Sequence, residues 1–371
     1  MVLTHYVNIL VILGCTIGLF FVDLFPPVAT SQSGSKEKAE VLTVDNTGIE
    51  SIGLLTQGTQ SLRVRVLSGR WRGVEFNAAN QLRSQMELDK IFVPGDIILV
   101  GIYDGANPAV SIVNAQDYYR TGWTIALFLL FGALLLVFGG LTGFTALLSF
   151  VFSCLLIWKV LVPLCLRGVN PMLVSLAVVG LLSAVIIFLI AGFTRKGTTA
   201  FLGAFAGVLV SCALAWLFSS LFHINGAVMP FSQALLYSGY ASVSLSQIYI
   251  GGIFLSSSGA VMDLGMDISA GMTEVVNQNP AISRRELFLS GIRIGQSVVG
   301  TMTTTLLLAY SGGYLTLLMM FAAQGTSPSD FINNPYVSCE VVKTIIGSFG
   351  LVLVAPLTAL LGAWILKGKA N

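Results

Sequence analysis

Of the 371 residues, 55% are hydrophobic and only 10% are charged, where a soluble domain carries about 25% charged residues. That composition excludes a soluble globular protein and predicts an all-α polytopic membrane protein with one small polar domain. A net charge of +2 does not point to nucleic acid as a partner. Of the five cysteines, Cys15, Cys154, Cys165 and Cys212 lie in apolar runs and Cys339 lies outside the polar domain. They read as small packing residues rather than a disulfide framework.

The first apolar run is VNILVILGCTIGLFFVDLF, residues 7–25. It is long enough for a membrane segment, and the PPVAT that follows is a poor cleavage site, so residues 1–29 are expected to be an uncleaved N-terminal anchor. Residues 30–121 are the only sizeable polar block. LRVRVLSG, GVEFNA, IFVPGDIILVGIY and AVSIVNA alternate as strands do, and Gly69, Gly73, Gly95 and Gly105 punctuate them as turns. A small β-barrel or sandwich is expected. Arg63, Arg65, Arg70, Arg72 and Arg83 are interspersed with Glu75, Glu87 and Asp89, which reads as a solvated barrel surface.

Residues 122–371 form the polytopic domain. Its apolar runs cover 123–140, 144–166, 172–193, 198–222, 246–275, 286–310 and 341–366. The run at 314–323 is half a span, because crossing takes about 20 residues. The positive-inside rule places Arg195 and Lys196, Arg284 and Arg285, and Lys367 and Lys369 in the cytoplasm. The loop 223–245 has no Lys or Arg and goes outside. Alternation then predicts about eight transmembrane helices plus a re-entrant half-helix at 314–323. Both termini are cytoplasmic, residues 30–121 are extracytoplasmic, and Arg167 is the one mild violation.

The run SSSGAVMDLGMDISAGMTEVV, residues 256–276, carries Asp263, Asp267 and Glu274 inside a membrane-length segment. An acid at the centre of a span costs about 2.5–3.5 kcal/mol on insertion scales, so a function or a partner must offset it. At 100° per residue, Gly252, Ser256, Gly259, Asp263, Asp267, Ala270 and Glu274 share one face, while Phe254, Val261, Ile268 and Met272 share the opposite one. Small residues on that face admit another helix closely. The next span presents Glu286, Ser290, Arg293, Ser297, Gly300 and Thr304 together. Counting outward from the loop centre makes Arg293 level with Asp267 and Ser297 level with Asp263. Arg293 is therefore expected to neutralise Asp267, leaving Asp263 as the best candidate for holding a cation. The threonines of TMTTT, Thr301 to Thr305, either bond back to their own helix or furnish hydroxyl ligands. Lys159 reads as a side chain snorkelling from a helix end, and Met262, Met266, Met272 and Met302 as gap fillers.

No phosphate-binding loop, HExxH motif or catalytic triad pattern is present. No cofactor and no enzymatic activity are expected. The face instead suits transport of a small ion or ion-coupled solute. The alternative is a non-transporting scaffold or regulator that presents the β domain to a partner. The lipid bilayer is one partner, and the small-residue face is compatible with a homo-oligomer or a related membrane partner.

DYYR, LVPLCLRGVNPMLVSLAVV, FLIAGFTRKGTTAFLGAFAGV, GAVMDLGMDIS, GIRIGQSVVGTMTTTLLLAY and IIGSFGLVLVAPLTAL together resemble the YibE/F-like family of bacterial multi-pass membrane proteins, from about residue 60 onwards. The resemblance implies a bacterial plasma-membrane location and carries over no catalytic residues. It implies that Asp263 matches the family's acid and that Asp267 stands where Ser is usual. A family Arg-Asp pair falls at Gln296–Ser297 here, and Arg293 with Asp267 would re-create it one turn away.

Overall fold

The structure is a computed structural model that describes residues 2–26, 34–103 and 112–367, with side chains from Val7 onward. Gly105, Lys369 and the junction expected at 29–30 lie outside the described residues. The chain divides into two compact units, Pro27–Leu134 on the one hand and Met1–Pro26 with Leu135–Asn371 on the other.

In the first unit the strands are β1 (Gly34–Asp45), β2 (Ile49–Ile52), β3 (Leu55–Val66), β4 (Glu75–Arg83), β5 (Ile97–Tyr103) and β6 (Ile112–Tyr118). Their order is β1-β5-β6-β4-β3-β2, and an additional β1–β3 pairing closes five of them into a barrel. Only β2 stands outside, as a hairpin on β3. Alternation in the sequence becomes alternation of faces: along β3, Leu62, Val64 and Val66 point into the barrel and Arg63 and Arg65 point out. The buried Gln60 is paired on every side. It donates to Asn46 and to the Phe92 carbonyl, both at 2.8 Å, and accepts from Asn80 and from the Phe92 N–H, both at 3.0 Å. Outside, Arg63 and Arg65 both grip Glu75, at 3.0 and 2.9 Å. The Arg65 hydrogen bond holds that carboxyl below the ordinary carboxylate range.

The rest of the chain is helical: α1 (Val2–Phe21), α2 (Thr121–Leu156), a π turn (Ile157–Leu161), α3 (Val162–Leu166), α4 (Pro171–Ala191), α5 (Arg195–Leu221), α6 (Ser232–Tyr237), α7 (Leu245–Gln278), α8 (Arg284–Gly313), α9 (Leu315–Ala323), α10 (Pro328–Asn333) and α11 (Pro335–Ile365). Among the described residues, five helices are long and apolar enough to cross a membrane, or six if α8 and α9 form one broken span. Helix α1 has 20 residues, and its part described with side chains, Val7–Phe21, is apolar throughout most of its length. Length and composition thus support five to six spans among the described residues, and the count of about eight is not confirmed. The expected runs 123–140 and 144–166 are two helices that meet at a kink within the helical run Thr121–Leu166. That run is broken at Gly140, whose φ of 53° and ψ of −125° are open to glycine but not to other residues. The break folds the chain sharply, since a Cβ on Gly143 would strike the Leu135 carbonyl. Lys159 lies in the π turn that follows. The run at 314–323 becomes α9, bent from α8 by 65°.

The core of this unit is built by α5, α7, α8 and α11, with α4 along α7. Small residues set the spacing. A Cβ on Gly265 of α7 would lie 3.2 Å from the Ala200 carbonyl of α5, and one on Gly207 would meet Val354 and Val261 at 3.1 and 3.2 Å. The helix starts are capped as their sequences ask. Thr194 accepts from Gly197, Ser244 accepts from Gln247, and Ser283 forms a capping box with Glu286.

Candidate functional site

The two faces of α7 fall where the periodicity puts them. Phe254, Val261, Ile268 and Met272 are each 0% exposed. On the other side Gly252, Ser256, Gly259, Asp263, Asp267 and Glu274 are all exposed, and Ala270 is half-buried. A Cβ added to Gly252 or Gly259 would meet nothing within 4 Å. The α8 face is open too: Arg293, Gln296, Ser297, Gly300 and Thr304 are exposed, and Ser290 is half-buried. Glu286, also exposed, serves the helix start. Its carboxylate accepts from the Ser283 N–H at 2.9 Å and closes the first turn of α8.

The expected ion pair between Asp267 and Arg293 is not formed. Neither Asp263 nor Asp267 has a Lys or Arg nitrogen within 4.0 Å among the described residues. The reason is register. A Cβ on Gly271 would lie 2.8 Å from Ile294, one on Gly291 would lie 2.7 Å from Met272, and one on Gly295 would lie 3.3 Å from Ile268. These close approaches put Arg293 level with the stretch around Gly271, about one helical turn (~6 Å) nearer the α7–α8 loop than Asp267. Counting from the loop centre missed that offset.

Hydroxyls crowd the same surface but are mostly engaged locally. Ser297 donates to the Ile294 carbonyl at 2.7 Å and Thr304 to Gly300 at 3.1 Å. Thr301, Thr303 and Thr305 likewise bond back to their own helix, which is the first of the two roles the TMTTT run allowed. Glu274 accepts from Gln278 at 2.9 Å near the end of α7. Met262 and Met272 are core residues, with Met266 and Met302 packed against them.

At the N-terminal end of α7 the open face runs into a cavity of about 910 Å³. Its walls include Tyr249, Gly252 and Ser256 of α7, Tyr314 at the α8–α9 bend, and Glu340 and Lys343 of α11. Ser256 Oγ lies 2.9 Å from the Tyr310 hydroxyl, and Lys343 Nζ sits 5.4 Å from the centre of the Tyr310 ring. Lys343 also pairs with Glu340 at 3.3 Å. Tyr249 donates to the Cys339 carbonyl at 2.6 Å, which fixes α7 to α11 behind the cavity. Sequence reasoning passed over Glu340, Lys343, Tyr249 and Tyr310. The first two carry a readable signal, an acid and a base three apart in an apolar helix. The tyrosines are brought in only by packing.

Carboxylate and hydroxyl oxygens are hard donors, suited to hard cations or to carrying a proton. Among the described residues no group of three or more His, Cys, Asp or Glu side chains converges. Asp263 and Asp267 thus offer a sparse oxygen site.

No curated protein sequence and no solved structure matches the chain. The sequence profile described as YibE/F-like protein matches residues 127–368. The match covers well over half of the chain and begins beyond the β domain rather than near residue 60. It takes in α7 and α8, the cavity and both open faces, and the chain is a member of the YibE/F-like protein family.

Proposed function

We propose that the chain moves a small cation, or a solute coupled to one, along the polar face of α7. The observation that carries this reading is the pair of carboxylates, Asp263 and Asp267, without an ion-pair partner among the described residues, on an open face that leads out of a cavity edged by Glu340 and Lys343. Ionisable groups at membrane depth line water-filled pathways or pair with one another, and these two have no ion-pair partner among the described residues. A brace between helices would bury them against a cation instead.

In this reading the cavity is the extracytoplasmic mouth. Lys343 and Glu340 balance each other there, so the mouth is polar without a fixed charge. Ser256 and Gly259 line the way inward, and Asp263 exchanges its proton or counter-ion with the passing cation. The topology that goes with it is the one expected from the loop charges: both termini cytoplasmic, residues 30–121 outside, in a bacterial plasma membrane. Gly140 serves as the turn between two spans, and α9 as the half-helix that re-enters beside the mouth.

The test is ion flux in liposomes containing the purified protein, across a panel of monovalent and divalent cations and a proton gradient. The expected result is flux of at least one ion, lost in Asp263→Asn although that variant folds and inserts. Flux unchanged by Asp263→Asn removes the acid from the pathway, and no flux of any ion or proton ends the reading.

A further inference from the structure

The α7–α8 surface cannot face lipid as it stands. It exposes Asp263, Asp267 and Arg293 in the middle of membrane-length helices, together with Ser256, Gln296 and Ser297. Lipid-facing charges at that depth are costly, and no described part of this chain covers them. By contrast α2, with Trp123, Val137 and Phe138 more than 80% exposed, carries only apolar or small groups there and needs no cover.

We infer that a second copy of this chain packs against the α7–α8 face, and that Arg293 of each copy completes the site by pairing with Asp267 of the other. Three features of the face select the occupant. It is self-complementary in charge, with two acids on α7 and a base on α8. It is small at its closest points, since Gly252, Gly259 and Gly300 have nothing within 4 Å of an added Cβ, so two α7 helices can approach closely. Its depths match under a two-fold axis along the membrane normal, which leaves each residue at its own depth. Arg293 lies about one turn, ~6 Å, from the level of Asp267, within the span of an extended arginine side chain. Asp263, a further turn away, is out of reach and stays open between the copies. A self-complementary patch is what a two-fold homodimer requires. The site is incomplete without the partner, because Asp267 has no cation within 4.0 Å among the described residues of its own chain.

The inference rests on the uncovered charges and not on ion movement, so cross-linking and flux fail separately. The test uses full-length protein in native membranes on a background without native cysteines. Gly259→Cys should oxidise to a species of twice the 39.4 kDa chain mass, while Leu173→Cys, exposed on the apolar side of α4, should not. Asp267→Arg and Arg293→Asp, each added alone, should lower that cross-link at least fivefold. Co-expression of the two reversed chains should restore it, because each dimer then joins one original and one reversed pair. If a reversed chain does not accumulate alone, recovery of both on co-expression supports the pairing and continued loss overturns it. Cross-linking only to a protein of another mass, cross-linking of Leu173→Cys as strong as that of Gly259→Cys, or charge reversals without effect would each overturn the proposal.

Discussion

The two sides of α7 are separated by half a turn and follow opposite rules. On one side Phe254, Val261, Leu264, Ile268 and Met272 are fully buried, and Gly265 lets α5 come close. On the other, Gly252 and Gly259 are just as small, yet an added Cβ at either would meet nothing within 4 Å. Small residues on the closed side are explained by the helices they admit. The same residue types on the open side, with two acids among them, are explained by something outside the folded chain. Side-chain size alone therefore does not tell a packing stripe from a pathway or interface. The presence of charge, and the absence of a neighbour to meet it, does.

The largest expected effect breaks the closed side. Phe254→Ala removes a fully buried ring and should destabilise the detergent-solubilised protein by about 3–5 kcal/mol. Ser256→Ala, on the same helix turn but the open side, should change it by less than about 0.5 kcal/mol. Thermal unfolding of the two variants checks the contrast, which disappears if they melt together.

A second comparison concerns the acids. If Asp267 and Arg293 were a buried pair within one chain, as the sequence alone predicts, Arg293→Ala would cost about 3–5 kcal/mol. The observed register leaves them apart, so Arg293→Gln and Asp267→Asn should each shift the stability of the solubilised single chain by less than about 1 kcal/mol. Unfolding measured in a detergent that holds the chain as a monomer tests this. A large loss in both single variants, recovered in the double, would restore the intrachain pair.

Tyr249→Phe sharpens the picture at the cavity wall. The change removes the 2.6 Å hydrogen bond to the Cys339 carbonyl and leaves that buried oxygen short of a partner. It should cost about 1–2 kcal/mol, read from the same melts, whereas Tyr314→Phe on the open wall should cost nothing measurable.

The smallest effect belongs to the barrel. Arg65 lowers the Glu75 pKa, so the stabilisation from Glu75 is complete above the ordinary carboxylate value and fades as the pH falls through the lowered one. The advantage of the wild type over Glu75→Gln should be present at pH 7 and gone at pH 2. Melting of the full chain followed at both values checks the sign.

Much of this was legible in the sequence because it depends on period. The 3.6-residue repeat of α7 assigned Phe254, Val261, Ile268 and Met272 to one side and the acids to the other, and the period of two along β3 assigned Leu62, Val64 and Val66 to the barrel interior. What depends on distance along the chain was less legible. The α7–α8 offset is set by the packing of Gly271, Gly291 and Gly295 rather than by loop length, and a shift of one turn was enough to separate an expected ion pair. The Gly140 break, by contrast, falls at the expected end of the 123–140 run. Tyr310 reaches Ser256 across two helices, and no local pattern in either segment announces that contact.

The central claim is that the open side of α7 is reached by water within the membrane. Single cysteines at Ser256, Asp263, Phe254 and Val261, on a background without the native cysteines, can be tested with a small impermeant thiol reagent in intact membranes. The account predicts labelling at Ser256 and Asp263, which adjoin the cavity and the pathway, with Phe254 and Val261 protected until the protein is unfolded. Equal protection at all four positions, or labelling that ignores the helical period, would contradict it.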